Sequence, residues 1–218
     1  MERPEVRTGT RLALPFALAV GAFGVSFGVL ARAAGIGPLA ATVMSGTTFA
    51  GSSQFAAVGT IEAGGAVASA IAAALLLNAR YLAMGFTVAP ALGGSRLRRF
   101  VTTQLMVDES WAIAHLGEGR YDRHRLIGAG FLLYVAWVAG TLIGSLGADL
   151  VGDPEAFGLD AAFPALFLAL MWPQLKAREP LVVAIGGGAI ALALIPWTPP
   201  GVPIVAAAAA CLVGLRRR

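Results

Sequence analysis

Gly46-Thr47-Thr48-Phe49-Ala50-Gly51-Ser52-Ser53-Gln54-Phe55 lies inside an otherwise apolar run from Pro38 to Gly59. These ten positions hold two Thr, two Ser, one Gln and two Gly. In hydrocarbon an unsatisfied polar group costs about 4–8 kcal/mol on the water-to-cyclohexane scale. The stretch is therefore expected to be buried in protein or to line a wet cavity. Gly46 and Gly51 allow the backbone to leave helical geometry, and the hydroxyls offer partners to the groups this frees. The pattern predicts a broken or re-entrant helix at membrane depth, an element that forms substrate sites in transporters. A polar helix–helix seam is the plainer reading, but Gln54 is larger than a seam needs.

The rest of the chain fits a membrane. Its 218 residues are 57% hydrophobic and 13% charged, with a mean hydropathy of +0.77. A soluble domain averages ~25% charged. Several runs approach or exceed the ~20 apolar residues that cross a bilayer. The expectation is an all-α polytopic membrane helix bundle with about six spanning helices plus broken or re-entrant elements. No soluble segment is long enough to fold alone, so residues 1–218 read as a single integral membrane domain. The formal charge of +4 does not imply nucleic acid, because the Arg residues sit in short loops and at the ends. Cys211 is the only cysteine, so no intrachain disulfide forms. No Cys/His cluster has metal-ligand spacing, and no cofactor is expected.

The apolar runs alternate with charged turns. Leu12–Ala31, behind Arg3, Arg7 and Arg11, is long for a signal-peptide core and reads as an uncleaved first span. Pro38 suits the first position of a following helix. Ala66–Leu92 is interrupted by Asn78-Ala79-Arg80-Tyr81. Phe100–Leu116 carries Thr102, Thr103, Gln104, Asp108, Glu109 and His115, too polar for a lipid-facing span. It reads as re-entrant, buried or interfacial. Leu126–Leu150, Ala161–Leu175, Leu181–Pro196 and Val202–Leu215 complete the spans. Asp149–Asp160 is acidic and placed outside. The N-terminus, Ser95–Arg99, Gly117–Arg125, Lys176–Arg178 and the C-terminus are basic and placed inside. Six crossings satisfy this if Pro38–Gly59 and Phe100–Leu116 do not cross. A rival lets Pro38–Gly59 cross and splits Ala66–Leu92 into two short crossings. Both give an N-in, C-in chain.

Four polar clusters lie at or near membrane depth. They are Thr47/Thr48/Ser52/Ser53/Gln54, Asn78/Arg80, Thr103/Gln104 and Asp108/Glu109. A zwitterionic solute needs a partner for each charge. Arg80 suits a carboxylate, or else bridges to Asp108 or Glu109, since a buried Arg must be paired. Asp108 or Glu109 suits an ammonium group, or serves as a proton-coupling site. Thr47, Thr48, Gly51, Ser52, Ser53, Gln54, Asn78 and Arg80 are the candidate pathway residues, and Asp108 and Glu109 the candidates for coupling. Gly51-Ser52-Ser53-Gln54 is not a nucleophile elbow, and no Walker lysine motif is present, so an enzyme is not expected.

Phe49-Ala50-Gly51-Ser52-Ser53-Gln54-Phe55, then Asn78-Ala79-Arg80-Tyr81, then Asp108-Glu109 after a basic loop resemble the AzlC family in content and order. The resemblance covers nearly the whole chain. It implies the large subunit of an inner-membrane exporter of valine, leucine, isoleucine and methionine. It also implies a separately encoded small membrane subunit of the AzlD or BrnE type. Without a nucleotide-binding motif, the favoured drive is an ion gradient. An apolar pocket from Phe49, Phe55, Leu76 and Met84 would suit such side chains. Two other classes stand beside this one: a passive channel, and an intramembrane hydrolase using Ser52 or Ser53 with His115.

Overall fold

Helix α1 (Glu2–Ala33) already begins within the basic N-terminal stretch and continues through the first apolar run. The computed structural model describes residues 2–151, 168, 172, 174–176, 178–199 and 202–210. The chain groups into two compact units, one of residues 1–32, 36–51 and 78–152, the other of residues 33–35, 52–77 and 153–218.

The first unit is built on α1 and α8 (Arg123–Val151), which run parallel. Their glycines interlock. A methyl group on Gly24 would sit 2.6 Å from the Trp137 carbonyl. One on Gly28 would overlap the Thr141 carbonyl, and from the other side Gly140 and Gly144 meet Gly21 and Val25. Such a seam brings two backbones together without a side chain between them, the usual way helices associate in lipid. Ion pairs mark its ends: Arg125 Nε to Glu5 Oε2 at 2.5 Å, and Arg32 Nη2 to Asp149 Oδ1 at 3.6 Å. The N-terminus and the segment before α8, both expected inside, therefore share one end of this unit.

Helix α2 (Pro38–Thr48), with Pro38 at its first turn, runs antiparallel to α8. Ser45 Oγ meets Thr141 Oγ1 at 2.8 Å, and just past the end of α2 Phe49 lies against Tyr134. Helix α5 (Arg80–Leu92) ends at Gly93-Gly94, whose positive φ angles turn the chain into α6 (Arg96–Gln104). Helix α7 (Asp108–Ala114) follows after three residues. Met84, Val88 and Leu92 of α5 form one apolar core with Met106, Ala114 and Leu126.

A feature absent from the sequence reading is a small antiparallel hairpin, β1 (His115–Gly117) with β2 (Arg120–Tyr121), in what reads as a polar loop. Its turn needs positive φ at three successive residues, Gly117, Glu118 and Gly119. Two glycines supply most of that freedom.

The second unit contains α3 (Gly51–Glu62, entered at Ser52), most of α4 (Val67–Asn78), α9 (Arg178–Leu194) and α10 (Val202–Ala207) with a closing 3₁₀ turn. The face of α9 at Gly187 approaches Ala207 and Ala210. Among the described residues three helices are long and apolar enough to cross a membrane: Pro4–Ala33, Val67–Leu92 and Arg123–Leu150. The chain is thus a helical membrane bundle, as its composition predicts. Residues 152–167, most of Ala161–Leu175, Cys211 and the final arginines lie outside the described residues, and with them part of the expected span count.

Candidate functional site

The apolar run from Pro38 to Gly59 is broken. Helix α2 stops at Thr48 and α3 starts at Gly51. The break is at Phe49-Ala50 rather than at the glycines expected to provide it. Phe49 adopts φ 40°, ψ 54°, a left-handed conformation that costs a non-glycine residue on the order of 1–3 kcal/mol. Its ring is buried edge-on to Tyr134, with centroids 5.2 Å apart, and its amide donates to the Ser45 carbonyl at 3.1 Å. Gly46 and Gly51 instead make room: a methyl group there would press on the Tyr134 hydroxyl or, at 3.0 Å, on the Trp137 ring. Trp137 is at the middle of the Arg123–Leu150 span. The break therefore lies at mid-depth.

A helix that ends at this depth leaves carbonyls without intrahelical partners. The Tyr134 hydroxyl donates to the Gly46 carbonyl at 2.8 Å, and the Gln104 amide to the Thr47 carbonyl at 2.6 Å. These two capping groups come from α8 and α6, beyond the local stretch. Thr47 Oγ1 turns back to the Val43 carbonyl at 2.7 Å. Exposure departs from expectation as well. Thr47 and Thr48 are exposed, while Ser52, Ser53 and Gln54, in the second unit, are buried.

The second polar stretch enters the unit from the basic end. Thr102 on α6 accepts from Arg123 Nη2 at 3.3 Å, next to the start of α8. Leu105 then packs on Gly130, whose missing side chain admits its carbonyl. Gly130 lies two helical turns into α8, about 10 Å. Helix α7 returns, and the Ala114 carbonyl accepts from the Asp122 amide at 2.8 Å. Helices of nine and seven residues cannot cross a bilayer. Phe100–Leu116 thus goes into the unit and returns to the end at which it entered. Ser110, fully buried, holds the tip: its Oγ accepts from the Val107 amide at 2.9 Å and donates to the Leu105 carbonyl at 2.9 Å.

Two half-elements thus meet at mid-depth, α2 from one end and the α6–α7 hairpin from the other, joined by the Gln104–Thr47 bond. Beside the hairpin tip, Arg80 Nη2 meets Asp108 Oδ2 at 2.9 Å, with roughly a third of each side chain exposed (34% and 38%). Arg80 also lies over the Tyr81 ring, 5.2 Å from its centroid. Asn78-Ala79-Arg80 occupies the middle of Val67–Leu92, where the helix is barely disturbed: Ala79 keeps right-handed helical angles. Asn78 Oδ1 is shielded and finds no hydrogen-bond partner among the described residues.

Of the candidate residues, Thr47, Thr48, Gly51, Asn78, Arg80, Asp108 and Glu109 fall in the first unit, and Ser52, Ser53 and Gln54 in the second. Tyr134 and Ser110 were missed. A tyrosine in the middle of an apolar span was the available signal, since its hydroxyl must find a partner. Leu76, expected in an apolar pocket, is instead 41% exposed. A separate apolar cavity of about 430 Å³ lies within the second unit, lined by Phe55, Ala56, Thr60, Ile195, Pro203 and Ile204. At the hairpin the His115 ring lies parallel to that of Trp111 and tilted against that of Tyr121, ring centroids 6.4 and 5.0 Å away.

This order of elements, with Gly51, Arg80 and Asp108 in place, can be set beside known proteins. Residues 15–151 match the family described as AzlC protein. The chain belongs to the AzlC family. A membrane protein of Archaeoglobus fulgidus is 34% identical over 94% of this chain and 91% of its own length. The inner membrane protein YgaZ of Escherichia coli is 25% identical over 80% and 75%. The branched-chain amino acid transport protein AzlC of Bacillus subtilis is 24% identical over 85% and 76%. No solved structure matches. The chain is a membrane protein of a transport family, as the AzlC resemblance implies.

Proposed function

We propose that this chain is the large subunit of a two-component exporter of branched-chain amino acids, valine, leucine and isoleucine, with methionine as a further substrate. The printed name of the Bacillus subtilis relative supports the substrate class. The observation that carries the reading is the Arg80–Asp108 pair beside the meeting point of two half-elements. An amino acid is a zwitterion. Its carboxylate replaces Asp108 on Arg80 and its ammonium group replaces Arg80 on Asp108, so both charges stay paired when the bridge opens. Glu109, next in sequence, takes and releases the coupling proton of an ion-gradient-driven cycle. Thr47, Thr48, Gly51, Ser52, Ser53, Gln54 and Asn78 belong to the pathway. Residues 1–218 act as one transporter domain, N-in and C-in, in the inner membrane, with a small AzlD/BrnE-type subunit as partner. No catalytic step and no cofactor enter this cycle.

Valine efflux from preloaded cells lacking their own exporters tests the proposal. The chain is expressed alone, with a small partner subunit, and as Asp108→Asn or Arg80→Met in that pair. Efflux is expected only with the partner, and at least ten-fold lower in either variant. Unchanged efflux in both variants would return the pair to a purely structural role. Flux that never saturates with valine would favour the passive channel.

A further inference from the structure

Helix α6 carries its charge and its apolar surface on one short segment. Leu97, Phe100 and Val101, spaced three and four apart, share one face and are 72%, 68% and 55% exposed. Arg96 and Arg98 flank that face, Arg99 sits across the helix from it, and all three are exposed. Among the described residues none of the three makes an ion pair. The opposite side is fixed to the protein: Thr102 is buried and bonded to Arg123, and Ser95 caps the first turn by accepting from the Arg98 amide at 3.3 Å. The helix begins just past Leu92, where the Val67–Leu92 span ends. Its basic turn is therefore at the boundary of the bilayer, and its apolar face on the hydrocarbon side.

We propose that α6 is a binding site for anionic phospholipid. The Arg96 and Arg98 guanidinium groups hold the headgroup phosphate, and Leu97, Phe100 and Val101 pack against the acyl chains. Guanidinium forks suit phosphate oxygens, and a basic amphipathic helix binds by the sum of buried apolar area and attraction to anionic lipid. Because α6 is the entering arm of the hairpin that carries Asp108, a bound lipid also steadies the tip. This inference rests on the membrane setting of the chain and not on the amino-acid assignment.

Native mass spectrometry of the purified full chain, exchanged against mixed dioleoyl phosphatidylglycerol and phosphatidylcholine, tests it. Wild type is expected to retain phosphatidylglycerol preferentially. Near an anionic surface each Arg is worth a factor of about five, so the Arg96→Gln/Arg98→Gln variant should lose on the order of 25-fold. Arg98→Gln alone should lose about five-fold, a check that needs no multiple substitution to fold. The Arg96→Lys/Arg98→Lys variant should keep the preference, and Leu97→Gln/Phe100→Gln should weaken it. Arg7→Gln/Arg11→Gln, which removes an exposed pair on α1, should leave it intact. Retention in the Arg96→Gln/Arg98→Gln variant overturns the proposal. So does an equal loss in the α1 control, full retention after Leu97→Gln/Phe100→Gln, or displacement of the lipid by millimolar inorganic phosphate.

Discussion

Along α1 and α8 the two backbones touch because Gly24, Gly28, Gly140 and Gly144 place only hydrogen between them. Where α2 meets the α6–α7 hairpin, polar groups are exchanged instead: Tyr134 and Gln104 each donate to a carbonyl of the last turn of α2. Both regions lie in the same unit and share α8. The seam is stabilised by dispersion and by intact helices, so it has no low-energy alternative. The junction is stabilised by bonds that water or a polar solute can replace one for one. A transport protein needs both: a rigid seam against which something moves, and a junction whose bonds can be exchanged.

The largest way to break this contrast is to fill the seam. Gly144→Val drives a branched side chain into the Val25 backbone. Overpacking of this kind costs about 3 kcal/mol or more, read as loss of folded protein after membrane extraction and as a large drop in thermal midpoint. An equally stable Gly144→Val protein would show that the seam yields. The junction should respond less. Tyr134→Phe and Gln104→Leu each remove one donor, at about 1 kcal/mol apiece in a membrane interior. The double variant should unfold only slightly sooner while its transport kinetics change. A double variant as unstable as Gly144→Val would erase the distinction between the two regions.

The sequence revealed the broken element because serines, threonines and a glutamine in an apolar run need hydrogen-bond partners that lipid cannot supply. It also offered Arg80 an acidic partner, Asp108 or Glu109, beside a substrate carboxylate, since a charge at the middle of a span cannot stand alone, and the structure pairs it with Asp108. It misplaced the break itself. Glycine is the usual residue at positive φ, so Gly46 and Gly51 drew attention, whereas Phe49 bends because Tyr134 holds its ring. That contact joins residues 85 positions apart, beyond any local pattern. Ser110 was hidden for the same reason: its role at the hairpin tip exists only once Leu105 and Val107 have turned.

The parallel run of α1 and α8 constrains the chain in one more way. Helix α1 finishes at the end of the unit marked by Arg32 and Asp149, and α8 starts at the other, beside Glu5. Everything between residues 33 and 123 must make a net passage back, so it holds an odd number of crossings. A relative that keeps the seam can gain or lose crossings in that interval only in pairs. A single added crossing would invert α8 and pull the glycines out of register with α1.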